Sequence, residues 1–260
     1  MNLRDRVIVI TGASSGFGEL TARMCAKAGA RLVLVARSAD KLEQLAGNLG
    51  GPDRVLVVPT DITDQEAVTH MAAQVISHYG RVDVLVNNAG YGFFDPVEKL
   101  PLDAVAGMLD VNVLGALRCT QAFLPHMRAQ RTGQIVVVAS IAGLLPFRNM
   151  GGYAASKFAL VGLFQTLQLE LAGSGIRCAI ICPGPSLTSF MQSPNADIHK
   201  FPRITRMLPW LKPEQVAAEV VRAIARRVHG RVIIPRITIP LVIFGQALPG
   251  LARLIMRLVG

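Results

Sequence analysis

Residues 7–18, VIVITGASSGFG, decide the fold. The stretch opens within an apolar strand, Arg6–Ile10, and runs into a turn holding Gly12, Gly16 and Gly18 among small residues. An amphipathic helix is expected next, from Gly16 to Gly29. Glycine allows a sharp turn from strand to helix. It also lets a pyrophosphate approach the helix N-terminus, where unbonded N–H groups and the helix dipole favour anions. A glycine pattern alone is weak; a strand before it and a helix after it read as a dinucleotide turn.

The alternation continues outward from there. Strands are expected at Arg31–Ala36, Val55–Val58, Val84–Asn87, Gln134–Ser140, Arg177–Cys182 and Arg231–Ile234. Helices are expected near Ser38–Leu49, Asp64–Tyr79, Leu102–Arg128, Tyr153–Gly173 and Glu214–Val228, with a Pro-rich loop over Pro183–Pro213. Regular βα alternation predicts a doubly wound, Rossmann-type α/β fold: a parallel sheet of about seven strands with helices on both faces. No boundary is expected before about residue 236. Residues 1–236 therefore read as one domain and 237–260 as an apolar, basic tail.

The second strand ends at Ala36-Arg37-Ser38. A carboxylate at that position would suit the ribose 2′-hydroxyl of NAD(H). A guanidinium suits a 2′-phosphate instead, so Arg37 favours NADP(H), with Ser14, Ser38 and Lys41 able to add hydrogen bonds or charge. Asp61, after the third strand, either accepts from an adenine amino group or caps the helix that begins near Asp64. Asn87-Asn88-Ala89-Gly90 closes the fourth strand with amides and small side chains, suited to lie beside a ribose and to tie neighbouring strands together.

Ser140 closes the apolar run IVVVAS, and Tyr153 and Lys157 follow four residues apart. On a helix that spacing puts the phenol and the ammonium on one face, one turn apart. A hydroxyl, a phenol and an ammonium at one sheet edge outline a proton-transfer site.

Composition bounds the remaining choices. A chain of 260 residues that is 51% hydrophobic and 17% charged buries a large core and is not disordered. Its net charge of +10 is uneven. No acidic residue follows Glu219, whereas Arg222, Arg226, Arg227, Arg231, Arg236, Arg253 and Arg257 do. Charge clustered in an apolar tail, without interleaved aromatics or a reader motif, argues against nucleic acid as a partner. Cys25, Cys119, Cys178 and Cys182 show no metal spacing. They read as reduced core thiols of a cytoplasmic protein, and no metal site is expected. The opening MNLRDRVIVI reads as the approach to the first strand and not as a signal peptide.

Taken together, TGASSGFG at 11–18, Asp61, NNAG at 87–90, Asn112 in DVNVLG, Ser140, YAASK at 153–157 and PGPSLT at 183–188 resemble the short-chain dehydrogenase/reductase family, in its main single-domain branch. The resemblance spans roughly residues 5–235. It implies an oxidoreductase that interconverts a ketone and a secondary alcohol. Tyr153 would be the general acid or base, favoured as phenolate by the ammonium of Lys157 and by an oxidised nicotinamide. Ser140 would polarise the substrate oxygen, Lys157 would hold the nicotinamide ribose, and Asn112 would hold a water of the proton relay. Cofactor contacts are implied for Thr11, Gly12, Ser14, Ser15, Gly16, Phe17 and Gly18, for Arg37, Asp61 and Ile62, for Asn88, Ala89 and Gly90, and for Pro183, Gly184 and Thr188. Phe17 and Ser186 depart from the family's usual aliphatic residues. A homodimer or homotetramer, paired through the helices near 102–128 and 153–173, is the family's tendency. An NAD-dependent alcohol dehydrogenase of the same family, or a non-catalytic lipid- or cofactor-binding protein on this fold, are the competing readings.

The loops expected over the site are apolar: Tyr91, Phe93 and Phe94; Leu144, Leu145, Pro146, Phe147 and Met150; Phe190, Met191, Phe201, Met207, Leu208 and Trp210. They point to a hydrophobic substrate, steroid-like or a long-chain keto-lipid. The tail has 16 uncharged residues from Ile237 to Ala252, short of the ~20 that span a bilayer, and Pro240 and Pro249 interrupt it. Two readings stay open for it: peripheral contact with a membrane surface, or docking on its own subunit or a dimer partner.

Overall fold

Strand β1, Val7–Thr11, is buried along its whole length. So are most of its neighbours, as expected of parallel strands covered on both faces. In the computed structural model, which describes residues 2–186 and 209–251, the order is β1, α1 (Gly16–Lys27), β2 (Arg31–Ala36), α2 (Ala39–Gly47), β3 (Val55–Pro59), α3 (Gln65–Tyr79) and β4 (Val84–Asn87). Then come α4 (Leu102–Leu109), α5 (Ala116–Ala129), β5 (Gly133–Val138), α6 (Gly151–Glu170), β6 (Ile176–Pro183), α7 (Pro213–Ala225), β7 (Gly230–Ile234) and α8 (Ile239–Ala247).

The seven strands form one sheet in the order β3-β2-β1-β4-β5-β6-β7, every pair parallel. This is the Rossmann-type α/β fold. Successive residues of each strand feed opposite layers. Val7, Val9, Val33 and Val35 enter the core with residues of α3, α5 and α6, such as Val68, Phe123 and Phe164. Ile8, Ile10, Leu32 and Leu34 enter the other core with residues of α1, α2 and α7, such as Ala22, Leu42 and Val220. Each fully buried Val, Leu or Ile stabilises the fold by roughly 1.5–3 kcal/mol. The chain reverses direction across the sheet between β1 and β4, and a ligand crevice opens at such a switch point.

Two elements differ from expectation where they bear on the site. The single helix expected over 102–128 is interrupted at Asp110–Gly115 by a π-helical turn, between α4 and α5. A π turn admits one extra residue and shifts the side chains after it, a device common at functional sites. Helix α6 begins at Gly151, two residues before Tyr153. The Pro-rich loop is described at 183–186 and 209–212, where Ser186 bridges to Leu211.

Beyond β7, a short turn at Arg236–Thr238 leads into α8. Val242 of α8 is fully buried, and Ile239 and Leu241 pack on the same core. Gly245 lies against Leu145, where an added Cβ would collide with the leucine side chain. The first part of the tail is thus docked on its own subunit. Among the described residues, no helix is long and apolar enough to cross a membrane.

Candidate active site

The C-terminal ends of β1 to β6 share one edge of the sheet, and a cavity of about 650 Å³ opens along it. At one end stand Arg37, Ser38 and Lys41, with Thr60, Asp61 and Ile62 beside them. The middle is walled by Gly12, Ser14, Ser15, Gly16 and Phe17 on one side and by Asn88, Ala89 and Gly90 on the other. Ser140, Tyr153, Lys157, Pro183 and Gly184 line the far end.

The glycine turn is built by close approach. Gly12 sits at φ +66°, and a Cβ there would stand 2.8 Å from the Ala89 Cα. A Cβ on Gly18 would collide with the Gly12 carbonyl, so Gly18 lets α1 lie directly on the turn. Thr11 locks β1 to β4. Its hydroxyl donates to the Val86 carbonyl at 3.3 Å and accepts the Asn88 and Ala89 N–H groups at 3.0 Å each. The Asn88 amide donates back to the Thr11 carbonyl at 2.9 Å. Thr11 and Gly18 do not line the cavity: Thr11 ties β1 to β4, and Gly18 packs on the Gly12 turn.

Ser15, at the N-cap of α1, makes no side-chain hydrogen bond to the helix. The first-turn N–H groups of α1 are left for an anion, next to Ser14 and Gly16 on the wall. Free helix donors, a glycine turn and a cavity of this size fit a dinucleotide. At the adenosine end, Asp64 and not Asp61 caps α3, accepting the Glu66 and Ala67 N–H groups at 2.8 and 3.1 Å. Asp61 accepts both the backbone N–H and the hydroxyl of Thr63, which hold its carboxyl below the usual range.

At the other end, Ser140 follows β5 in extended conformation, and its Oγ accepts the Ala142 N–H at 3.1 Å. That bond leaves the hydroxyl proton free to turn toward the Tyr153 phenol, with which Ser140 is hydrogen-bonded. Phe94 stands edge-on to Tyr153, with centroids 5.5 Å apart at 73°. Burial pushes the phenol up to about 12, and the Ser140 bond pulls in the opposite sense. Burial outweighs the Ser140 bond here, whereas the shift toward phenolate is an expectation for Lys157 together with an oxidised nicotinamide. Lys157 lies one turn below, its Nζ 5.7 Å from the Tyr153 ring centroid. It donates to the Val138 carbonyl at 3.1 Å. Burial lowers its ammonium to about 8, with the Cys182 thiol acting the other way.

Asn112 sits in the π turn, fully buried. Its Oδ1 accepts the Tyr91 N–H at 2.9 Å, and its Nδ2 donates to the Tyr91 carbonyl at 2.9 Å and to the Ser156 hydroxyl at 3.0 Å. It lies behind the wall at Gly90 and joins the loop after β4 to α6. Ser156 was not expected among the site residues. Its signal was a small hydroxyl on the buried face of a helix, which needs a partner.

The residues expected on the substrate side fall in different places. Tyr91, Phe94, Phe147 and Met150 line the cavity, joined by Val111 and Ile141. Leu144 and Leu145 do not; both are buried in the core, and Leu145 is under α8. Thr188, Phe190, Met191, Phe201, Met207 and Leu208 lie outside the described residues. The four cysteines are free and buried, and no metal-binding cluster occurs among the described residues.

A model of the short chain dehydrogenase family matches residues 6–199. An uncharacterized oxidoreductase of Staphylococcus saprophyticus is 40% identical over 185 residues, 70% of this chain and 75% of that protein. A short-chain dehydrogenase/reductase from Burkholderia phymatum, solved in complex with NAD, superposes with a TM-score of 0.85 at 28% identity over 96% of each chain. An alcohol dehydrogenase from Thermococcus sibiricus, complexed with 5-hydroxy-NADP, gives 0.77 at 32% identity, covering 89% of this chain and 96% of that one. A nicotinamide dinucleotide is the cofactor class that these neighbours and the cavity have in common. On these matches, and on a sheet and cavity of the same kind, the chain belongs to the short-chain dehydrogenase family and is an oxidoreductase.

Proposed function

We propose that this oxidoreductase uses NADP(H) to interconvert an apolar ketone and its secondary alcohol, with Tyr153 moving the proton. The observation that carries the reading is the hydrogen-bonded Ser140–Tyr153 pair, one helical turn from Lys157, at the apolar end of a dinucleotide-sized cavity. When bound, the nicotinamide supplies or accepts the hydride.

This chain's own residues do the rest. The Ser140 hydroxyl, held by the Ala142 N–H, donates to the substrate oxygen and orients it. Tyr153 then delivers its proton to that oxygen as it gains charge. A phenol raised to about 12 is protonated throughout the neutral range, the form that donates a proton in the reductive direction. Lys157, anchored on the Val138 carbonyl beside Gly90, keeps a positive charge close to the phenol ring and is placed for the ribose hydroxyls. Asn112 holds the Tyr91 backbone and Ser156 in register, which keeps the loop and the helix together around the reacting atoms.

The cofactor preference rests on Arg37. It lines the cavity beyond the end of β2, exposed, with Ser38 and Lys41 beside it, and no carboxylate stands at that strand end. A guanidinium there neutralises a 2′-phosphate and has nothing to gain from a 2′-hydroxyl. The substrate class rests on Val111, Ile141, Phe147 and Met150, whose side chains offer area and no hydrogen bonds. Exposed Leu102, Leu114, Phe158 and Leu169 on and between α4, α5 and α6 support pairing of subunits into a dimer or tetramer.

Tyr153→Phe tests the reading. Turnover of a hydrophobic ketone with NADPH should fall about 10²–10⁴-fold, while NADPH binding, read by nicotinamide fluorescence, changes little. Retained turnover overturns the assignment.

A further inference from the structure

We propose that the edge of the sheet opposite the cavity docks on a membrane surface carrying anionic phospholipid. The inference goes beyond the oxidoreductase reading and does not rest on it. It starts from the first residues of the strands. All seven strands are parallel, so all begin at one edge, and each begins beside an exposed arginine. Arg54, Arg31 and Arg4 stand within three residues of the starts of β3, β2 and β1. Arg81, Arg131, Arg177 and Arg231 do so for β4, β5, β6 and β7. Neighbouring strands lie about 4.8 Å apart, so this row spans about 30 Å.

The helices run back to the same edge and widen the row. Lys27 ends α1, Arg226 follows α7 and Arg128 lies in the last turn of α5; all three are exposed. Helices α1 and α7 cover one face of the sheet and α5 covers the other. Four carboxylates share this edge: Asp5, Asp53, Asp83 and Glu170. Asp5 is divided among Arg54 at 3.3 Å, Arg31 at 3.6 Å and Arg4 at 3.9 Å. Asp83 is buried, holding Arg81 and the Val7 N–H. Among the described residues, no ion pair engages Arg128, Arg131, Arg177, Arg226 or Arg231. With half-buried Arg6 and Arg227, the edge carries twelve of the chain's 27 Lys and Arg residues against four of its 17 carboxylates. Most of the net charge of +10 therefore sits here and not in the tail.

The pattern selects the occupant. All but one of these cations are arginine, whose fork pairs with two phosphate oxygens at once. The patch extends in two directions, along the row and across both helix layers. A plane of anionic headgroups meets all of it. A single nucleic acid strand follows one line and stacks its bases on aromatic rings. The large exposed aromatic residues Tyr91 and Phe158 lie elsewhere, one after β4 and the other in the first half of α6. A protein partner needs apolar anchors at the centre of its interface. Of the large exposed apolar side chains among the described residues, only Leu169, at the end of α6, stands at this edge. The cavity opens at the other ends of the strands, about 17–20 Å away. Docking thus leaves its mouth clear.

The test uses the full chain and vesicles of phosphatidylcholine with or without 30% phosphatidylglycerol, in low and high salt. The chain should sediment with the anionic vesicles at least about tenfold more tightly than with the neutral ones, and the preference should shrink in high salt. Arg128→Gln/Arg177→Gln should weaken that binding about tenfold, with turnover and thermal unfolding unchanged. Lys99→Gln/Arg148→Gln removes the same charge from loops at the cavity edge and should leave binding within about twofold. Equal binding to neutral and anionic vesicles, or no binding to either, overturns the proposal. So does an equal loss in the two double variants, which would assign the binding to net charge alone. Tighter binding to a DNA duplex than to anionic vesicles at equal phosphate assigns the edge to nucleic acid and overturns it as well.

Discussion

Phe94 covers one edge of the Tyr153 ring, with the two centroids 5.5 Å apart and the planes at 73°. Phe94 is itself almost fully buried, so the pair excludes water from the phenol and sustains its raised value of about 12. Phe94→Leu keeps an apolar side chain but opens that edge. Reduction needs the protonated phenol and is lost as pH rises through its pKa. Less burial lowers that pKa, so the alkaline limb of the kcat–pH profile should move to lower pH, by on the order of one unit. An unmoved limb would mean that Phe94 does not shield Tyr153.

Arg37 lines the end of the cavity where Ser38 and Lys41 also lie. Arg37→Ala should weaken NADPH binding by about 10–100-fold, the range of one charge-assisted hydrogen-bonded contact, and leave NADH binding within about twofold. Fluorescence titration of both cofactors checks this. An equal loss for the two would place Arg37 away from the 2′-phosphate.

Gly12 combines a left-handed backbone with a contact that leaves no room for a methyl group. Gly12→Ala should destabilise the chain by on the order of 2–4 kcal/mol, from strain at φ +66° and displacement of Ala89. Denaturant unfolding without cofactor measures it. A change below about 0.5 kcal/mol would show that the turn relaxes freely.

Lys157 makes stability depend on pH. Burial lowers it from its ordinary 10.5 to about 8. Between those values the unfolded chain holds a proton that the folded chain has released, so its contribution to stability rises with pH across that window. Below pH 8 the buried ammonium costs on the order of 3 kcal/mol. Tyr153, raised from 10 to about 12, acts in the opposite sense above pH 10. Lys157→Met should therefore be inactive yet more stable than the parent at pH 7, with a flatter profile from pH 8 to 10. Unfolding curves at pH 7, 8.5 and 10 test the slope, and parallel profiles would contradict it.

The parallel sheet with helices on both faces was legible because its signals are local. A turn rich in glycine, an amide pair after a strand and a Tyr–Lys pair one turn apart each announce their own backbone. What was illegible depends on distant partners. The π turn at Asp110–Gly115 adds one residue to a helical run and barely disturbs its apolar pattern. Leu144 and Leu145 look like cavity wall by type, but the first is taken by the core and the second by α8, roughly a hundred residues on. The burial that raises Tyr153 was illegible for the same reason. Charge on Lys157 is visible four residues away, whereas burial by Phe94 appears only once the chain has folded.

The cavity wall runs from Gly12 to Ser186 and takes a segment from the end of each of the first six strands. Parallel strands must each wait for a crossover, and the contacts joining β1 to β4 are far apart along the chain. No fragment that ends before β5 holds Tyr153, and none that begins after the turn at Gly12–Gly18 holds the glycines. Cofactor binding and turnover should then be the last signals regained on refolding, well after helical content, and a nick in any one crossover should abolish both together.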